Sequence, residues 1–188
     1  MPNFFTDLKS FFNWDKYSPA EYDGLVGIFM AHGCITSTDP LGNVLLSSDN
    51  IGVRTRDLVH HVRSKDLWNN KPTMLIFQAC QTPSDAIKVK EKYQIESVSY
   101  ADTFVWFSTT QGSAALRDRE MGSLFIQTLS SLLDEFSTVM ELRELNDVFN
   151  RRFEKLKSSY VVDANQSCSL NTIGNTKKFV FDTRKIHH

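Results

Sequence analysis

A short apolar run that ends in a cysteine constrains this sequence more than any other feature. Residues Met74–Phe77 follow one another without polar alternation, as expected for a strand of a parallel sheet that is covered on both faces. The turn-forming residues Asn69–Pro72 precede the run, and Pro83 follows it. Because ligand sites in open α/β sheets lie at the carboxyl ends of the strands, Cys80 stands where a nucleophile could act.

A second apolar run, Leu25–Met30, has the same plan and is followed by His32 and Gly33. A buried cysteine is commonly an inert packing residue, a lone histidine is usually structural, and Gly33 alone could be a turn glycine. Two buried strands that end in His-Gly and in Gln-Ala-Cys, 48 positions apart, favour instead a pair in which His32 activates the Cys80 thiol.

These motifs resemble the caspase signature, in which a histidine lies about 50 residues upstream of Gln-Ala-Cys. The resemblance covers roughly residues 20–183, and the further segments that carry it are Asp49–Ile51, Thr55–Val62, Asn70–Pro72, Ala101–Thr110, Leu116–Arg117 and Gly122–Gln127. It implies an α/β, three-layer caspase-like fold: one domain over 1–188, with a mostly parallel sheet and helices on both faces. It divides the domain into a large-subunit-like part (1–81), an intersubunit linker (82–99) and a small-subunit-like part (100–188).

The activity implied by the resemblance is that of a cysteine endopeptidase that cuts after aspartate, in apoptotic or related proteolytic signalling. Cys80 would attack the substrate carbonyl, and His32 would hold its proton and later give it to the leaving amine. The backbone N–H groups of Gly33 and Cys80 would stabilise the oxyanion that forms. No cofactor or metal is expected for this chemistry.

The substrate side of the site is also implied by the resemblance. Gln78 and Arg117 match two of the three family residues that hold the substrate aspartate, and a planar guanidinium suits bidentate carboxylate binding. Ala115 and Leu116 stand where the family has Ser-Trp, which predicts a less aromatic neighbouring pocket. On its own, Arg117 would equally fit a solvated loop charge.

Several positions depart from the family pattern. The first strand and an Arg-x-Gly segment are expected before the His32 strand, yet the chain begins at Met1 within what resembles the following helix. The first strand and one arginine of the aspartate pocket are therefore expected to be missing. Gln81 and Thr82 replace the commoner Arg and Gly, and Ala31 replaces Ser. These departures favour an alternative function: a catalytically weak, truncated homologue that regulates a full-length caspase by heterodimerisation.

Two further features of the family are expected here. Asp85, followed by the small Ala86, is the predicted processing site in the linker, and Asp163 is a second candidate. Residues 177–182 are predicted to form a last strand through which the chain makes a homodimer or a heterodimer with another caspase. Flanked by lysines, the same segment could also be an ordinary edge strand.

Charge, hydropathy and cysteine content restrict the kinds of partner and the cellular setting expected for this chain. The 188 residues carry a net charge of −1, which argues against a nucleic-acid binder or a basic membrane anchor. No apolar run reaches the length of a membrane helix. The three cysteines form an odd set without a disulfide framework, which indicates a reducing, cytoplasmic setting.

Hydrophobic periodicity predicts the remaining elements. An N-terminal helix is predicted from Phe4, Phe5, Leu8, Phe11 and Phe12, which would pack on the protein or, alternatively, lie on a membrane surface. Later helices are predicted over Thr55–Arg63, with His60 and His61 on the solvated side, over Leu124–Phe136 and over Glu141–Lys157. The stretch Thr103–Ser108 is predicted as a strand, and Gln111–Glu120 and Asp163–Asn175 as loops.

Overall fold

The computed structural model describes residues 21–36, 39–48, 51–64, 68–84, 99–160, 165–174 and 177–181. The strands in these segments are β1 (Leu25–Met30), β2 (His32–Thr36), β3 (Asp39–Leu46), β4 (Gly52–Arg54), β5 (Thr73–Gln78), β6 (Thr82–Pro83), β7 (Thr103–Phe107), β8 (Arg117–Asp118), β9 (Gly122–Ser123) and β10 (Ser169–Ile173). The helices are α1 (Thr55–Arg63), α2 (Leu124–Phe136) and α3 (Leu142–Ser158). The predicted helix around Phe4–Phe12 and both predicted processing sites, Asp85 and Asp163, lie outside the described residues.

The main sheet has the strand order β1-β5-β7-β10. Strands β1, β5 and β7 are parallel, and β10 runs antiparallel to β7. All six residues of β5 are buried because the strand lies in the interior of the sheet. This position explains why its sequence is apolar without alternation.

Helices cover both faces of this sheet, which confirms the predicted three-layer α/β fold. On one face, Met74 and Ile76 of β5 pack with Trp106 of β7 beneath α2 and α3. On the other face, Leu75 and Phe77 pack against α1. Helix α2 is capped by the Ser123 hydroxyl, and α3 begins with a capping box formed by Glu141 and Glu144.

A second, smaller sheet has the strand order β4-β3-β2-β6 and stands at the carboxyl ends of β1 and β5. The chain enters it twice, once after β1 at Ala31 and once after β5 through Ala79–Gln81. Strand β6 pairs in parallel with β2, with Thr82 opposite Cys34. Thr82 and Pro83, the first residues of the predicted linker, therefore belong to this sheet, while 85–98 lie outside the described residues.

Two predictions near the C-terminus are wrong for the described residues. The predicted loop 163–175 contains β10, which forms because the free edge of β7 offers hydrogen-bond partners to a segment of mixed polarity. Residues 177–181 of the predicted last strand 177–182 form no strand. The rings of Phe179 and Phe181 pack on the α2–α3 side of the core instead, and the Phe179 ring lies 5.5 Å from that of Phe104.

Helix α1 has the predicted bounds, but its histidines are not solvated. His60 and His61 are both buried, and His60 Nδ1 lies 2.9 Å from the Tyr100 hydroxyl. The residues that follow the predicted linker pack over this side of the helix. Periodicity within α1 alone could not show that cover.

Strand β1 forms one edge of the main sheet in the described part of the chain. Its side chains Val26, Ile28 and Met30 are exposed and face the side of the sheet that α2 covers farther along. None of the helices described is long and apolar enough to cross a membrane.

Candidate active site

The end of β5 is held by side chains from the end of β7. Beyond Gln78 the chain leaves the main sheet, so the backbone of Ala79 loses its ladder partners. The Ala79 N–H donates to Ser108 Oγ at 3.2 Å, and the Thr109 hydroxyl donates to the Ala79 carbonyl at 2.8 Å. Ser108 and Thr109 are fully buried. They satisfy the backbone that immediately precedes Cys80 and thereby fix its position.

Gly33 brings the other strand end against the same backbone. A Cβ atom on Gly33 would lie 2.6 Å from the Cys80 carbonyl oxygen and 2.9 Å from that of Val44, so no side chain fits at this position. The Ala31 N–H also donates to the Gln78 carbonyl at 3.2 Å. His32 lies between these two contacts, exposed at the start of β2. The C-terminal ends of β1 and β5, which carry His32 and Cys80, therefore lie next to each other.

The Cys80 thiol faces the segment predicted to bind substrate. The Ala115 N–H donates to Cys80 Sγ at 3.3 Å, and the residue is only partly buried. Cys80 and His32 both lie among the described residues, and their side chains are not hydrogen-bonded to each other. The structure therefore brings the Cys80 thiol and the Ala115 backbone into contact, and it places His32 on the adjoining strand end without a direct hydrogen bond to the thiol.

Gln81, the residue after Cys80, is hydrogen-bonded to the loop that precedes the predicted substrate-binding segment. The Gln81 N–H donates to the Ser113 carbonyl and its carbonyl accepts from the Gly112 N–H, both at 2.9 Å. Its buried side chain donates from Nε2 to the Thr109 carbonyl at 2.6 Å. Gln81, which replaces the commoner arginine of the family signature, thus ties Cys80 to the end of β7.

The predicted substrate-binding residues lie in three environments. Gln78 is 8% exposed, and its Oε1 has no hydrogen-bond partner among the described residues. Arg117 is exposed on β8, which pairs with β9. Ala115 and Leu116 are half-buried, and Leu116 packs against the core on the α2–α3 side. Gln78 Oε1 is therefore a buried acceptor without a donor among the described residues.

The turn between β8 and β9 is built around one carboxylate. Asp118 Oδ1 accepts from the Met121 N–H and the Glu120 N–H, both at 2.8 Å. These two backbone donors lower the pKa of the Asp118 carboxyl below its usual range. The turn holds Arg117 at the rim of the site, two residues from the contact between Ala115 and Cys80.

The other two cysteines have different surroundings from Cys80. Burial raises the pKa of Cys34, and burial together with the charge of Glu154 raises that of Cys168 to about 12 against the lowering effect of Lys157. Both remain protonated thiols at neutral pH. In the described segments no group of three or more His, Cys, Asp or Glu residues is arranged to hold a metal ion.

Sequence reasoning missed the residues that support this site from behind. Ser108 and Thr109 follow an apolar strand directly, at the sheet edge where Cys80 lies, so their position in the sequence could have indicated them. Gln166 hydrogen-bonds to both Ser108 and Leu116, although it lies 58 and 50 positions away from them. No local pattern distinguishes Gln166 from any other loop glutamine.

Comparisons with known proteins agree with this architecture. A family model described as a caspase domain matches residues 7–180, nearly the whole chain. The crystal structure of Caspase-1 from Spodoptera frugiperda superposes with a TM-score of 0.73 at 19% sequence identity, covering 100% of this chain and 74% of that one. At this identity the structural likeness establishes the fold alone.

Two curated relatives are proteins named Caspase-8. That of Drosophila melanogaster is 25% identical over 144 residues, which are 73% of this chain and 28% of that protein. That of Drosophila pseudoobscura pseudoobscura is 25% identical over 143 residues, or 71% and 27% respectively. The chain thus spans little more than a quarter of the length of these relatives. Because the family model covers far more than half of the sequence, the chain belongs to the caspase family.

Proposed function

We propose that this chain is a cysteine endopeptidase that cleaves peptide bonds after aspartate, acting in cytoplasmic proteolytic signalling such as apoptosis. One observation carries the proposal. Strand ends from separate parts of the chain converge so that Gly33 lies against the Cys80 carbonyl, while the Cys80 sulfur contacts the Ala115 N–H. A half-exposed thiol between a histidine-bearing turn and an extended segment is an arrangement suited to acyl transfer.

In the proposed reaction, the Cys80 sulfur attacks the backbone carbonyl carbon of the substrate aspartate itself, and His32 takes the thiol proton. The tetrahedral oxyanion accepts hydrogen bonds from the backbone N–H groups of Gly33 and Cys80. The C–N bond then breaks, and His32 gives the proton to the leaving amine, which leaves a thioester on Cys80. Water adds to this thioester and releases the new carboxyl end together with the free thiol.

The proposed specificity rests on Arg117 and Gln78. Arg117 is exposed on β8, where its guanidinium is available to a carboxylate. In this proposal Gln78 would donate from its amide Nε2, because the amide oxygen and the carboxylate are both acceptors. Ala115 and Leu116 would accommodate the preceding substrate side chain.

The test is hydrolysis of fluorogenic tetrapeptides ending in Asp, Glu or Asn before the leaving group. We expect cleavage of the Asp peptide only, complete loss in Cys80→Ser, and a loss of about a hundredfold or more in His32→Ala because general acid–base catalysis contributes that much. Cys168→Ser is the matched control and should retain wild-type activity. Equal cleavage of the Asp and Asn peptides would contradict the proposed role of Arg117.

A second proposal is that this chain is a weak enzyme that regulates a full-length caspase by heterodimerisation. The observation that favours it is the exposed apolar edge strand β1, whose Val26, Ile28 and Met30 lack cover in the described part of the chain. Mixing the chain with a full-length caspase decides between the two proposals. A change in the partner's activity that persists with Cys80→Ser would support regulation, whereas one that needs the thiol would support catalysis.

A further inference from the structure

Gln166 joins two parts of the candidate site that are distant in sequence. Its side chain is completely buried, with 0% exposure. The Nε2 group donates to the Ser108 carbonyl at 2.6 Å, and Oε1 accepts from the Leu116 N–H, also at 2.6 Å. Both ends of one amide are therefore occupied by backbone groups of two other segments.

Only one orientation of this amide satisfies both partners. Ser108 offers a carbonyl and needs a donor, whereas Leu116 offers an N–H and needs an acceptor. Reversing the amide would place oxygen against oxygen and N–H against N–H. A glutamine is thus specified at this position by its hydrogen-bonding pattern as well as by its size.

One end of the bridge is rigidly connected to the nucleophile. The Ser108 N–H donates to the Phe77 carbonyl at 2.9 Å, and its hydroxyl bonds to the backbone of Ala79. Phe77 and Ala79 belong to the run that leads into Cys80. The Ser108 carbonyl is therefore a fixed reference point for the position of the thiol.

The other end of the bridge lies on the segment that contacts the thiol. The Leu116 carbonyl accepts from the Leu124 N–H at 3.3 Å, so its N–H is the group left for Gln166. Ala115, one residue before, donates to Cys80 Sγ. The placement of Ala115 against the sulfur consequently depends on how Leu116 is held. Gln166 itself is anchored through its carbonyl, which accepts from Lys157 Nζ at 2.9 Å.

We propose that Gln166 is a positioning residue: it sets the spacing between Cys80 and the substrate-binding segment 115–117, and thereby determines affinity for the substrate peptide. The inference deepens the proposed function and rests on it for its catalytic meaning. The structural part of the inference is that Gln166 holds the Leu116 backbone in place, and this can be measured without any catalytic activity.

The first test replaces the amide by an apolar group of similar size, Gln166→Leu. Hydrogen exchange at the Leu116 N–H should accelerate by about tenfold or more, since its buried acceptor is lost, while exchange in α2 and α3 stays unchanged. The KM for the Asp tetrapeptide should rise by about tenfold, the effect expected when buried hydrogen-bonding groups lose a partner, with a much smaller change in kcat. Gln127→Leu is the matched control, because Gln127 donates a single hydrogen bond to Gly122 and does not touch Leu116.

The second test uses Gln166→Glu, which is isosteric and has a pH-dependent outcome. Burial raises a carboxyl pKa, so the protonated acid present at lower pH can donate to Ser108 and accept from Leu116, as the amide does. We expect wild-type KM at low pH and a progressive rise in the variant-to-wild-type ratio of KM as the carboxyl ionises.

Unchanged Leu116 exchange in Gln166→Leu, equal effects of Gln166→Leu and Gln127→Leu, or a pH-independent Gln166→Glu would each overturn the inference. If the wild-type chain cleaves no Asp peptide but the exchange effects appear, the positioning role stands and only the proposed function fails. The exchange measurement therefore separates the two.

Discussion

Cys80 differs from the other cysteines in what surrounds its sulfur. Its Sγ accepts a backbone hydrogen bond at a partly open position, whereas Cys34 lies in the core and Cys168 donates to the Ser108 carbonyl from a largely apolar site. Burial keeps the pKa of Cys34 raised and that of Cys168 at about 12. Reactivity with electrophiles should follow these differences, because the thiolate is the nucleophile.

We predict that a peptide-based aspartyl electrophile labels Cys80 alone and stoichiometrically at neutral pH. Cys80→Ala should abolish the labelling, and His32→Ala should slow it because the thiol loses its proton acceptor. Since a raised pKa keeps a cysteine protonated until the pH approaches that value, Cys168 should react only under strongly alkaline conditions near pH 12. Mass spectrometry of the labelled peptides measures this. Labelling that survives Cys80→Ala, or that is unaffected by His32→Ala, would count against the pair.

Gly33 provides a second prediction at the residue scale. In Gly33→Ala the new methyl group meets two backbone carbonyls, those of Cys80 and Val44, which cannot rotate away. We expect a loss of unfolding free energy of about 1–3 kcal/mol and a larger proportional loss of peptidase activity, because the backbone that carries the thiol must shift. Gly27→Ala is the comparison, since its methyl group would meet the end of the Leu75 side chain. Denaturant unfolding and peptide hydrolysis together test this; activity lost equally in both variants would contradict it.

Among the elements, α1 carries a charged residue that joins the end of the predicted linker to the residues around the start of β5. Arg63 is 2% exposed, and its Nε donates at 3.1 Å to the carbonyl of Ser99, the last residue of the predicted linker. Its Nη1 donates to groups before β5 and at its start, namely the carbonyls of Trp68 and Lys71 and the Thr73 hydroxyl. Burial lowers the pKa of the Arg63 guanidinium, an effect partly opposed by Asp102. The side chain therefore holds the C-terminal end of the predicted linker against the large-subunit-like part.

Replacing this guanidinium should be strongly destabilising. Arg63→Met leaves several buried carbonyls without donors, and we expect the free energy of unfolding to fall by about 3 kcal/mol or more. Arg63→Lys should recover only part of this, since an ammonium cannot reproduce the planar fork. Arg56→Met, on the exposed side of the same helix, should change stability by less than about 0.5 kcal/mol. Equal midpoints for Arg63→Met and Arg56→Met in urea unfolding would refute the assignment.

On the scale of the whole molecule, residues 177–181 form one surface of the α2–α3 side of the core. Phe179 and Phe181 point inward, and their backbone is held by hydrogen bonds to Leu142 and Ser137. Val180 between them is 40% exposed. Val180 is therefore an apolar side chain exposed beside the exposed Lys177 and Lys178, and it could contact a second chain.

We predict that the isolated chain is a poorly stable monomer that associates with itself or with a full-length caspase through a surface that includes Val180, not through a strand over 177–182. The exposed apolar edge of β1 lowers the stability of the monomer, and a folded partner would raise it by mass action. Val180→Asp should weaken the association without disturbing the inward-facing phenylalanines. Sedimentation of both forms measures this, alongside cleavage of Asp peptides, which we expect to be weak. A stable monomer of ordinary protease activity, indifferent to Val180→Asp, would refute the prediction.

A final prediction concerns processing between the two parts of the domain. Asp85 is followed by the small Ala86, and an active caspase should cut after it, with Asp163 as a slower site. After cleavage at Asp85 the fragments should remain associated, because the β5–β7 pairing and the contacts of Arg63 join residues on both sides of the cleaved bond. Incubation followed by intact-mass analysis and gel filtration tests both statements. Asp85→Ala is the control, and an uncut wild-type chain would exclude Asp85 as a processing site.

Much of the element pattern could be predicted from the sequence. The helices around Leu58, Phe125 and Phe149 have amphipathic repeats, since each buries one face against a sheet that is already apolar. The two core strands that lead to His32 and Cys80 are recognisable because burial on both faces removes polar residues from them. The juxtaposition of those strand ends was implied by the resemblance to the caspase signature, because the rule that sites lie at carboxyl ends of parallel strands does not say which strands are neighbours.

The remaining features depend on contacts between distant segments. Strand β10 exists because β7 has a free edge, and Phe179 packs inward because the junction of α2 and α3 offers an apolar surface and a donor, the Leu142 N–H. His60 and Tyr100 come together only when the chain beyond the linker folds over α1. Local periodicity therefore determined which residues form helices and central strands. Only the tertiary structure decided how the edges of the sheets are paired. It also decided which polar groups, such as the Gln166 amide, are buried with hydrogen-bond partners, because those partners lie tens of residues away in the sequence.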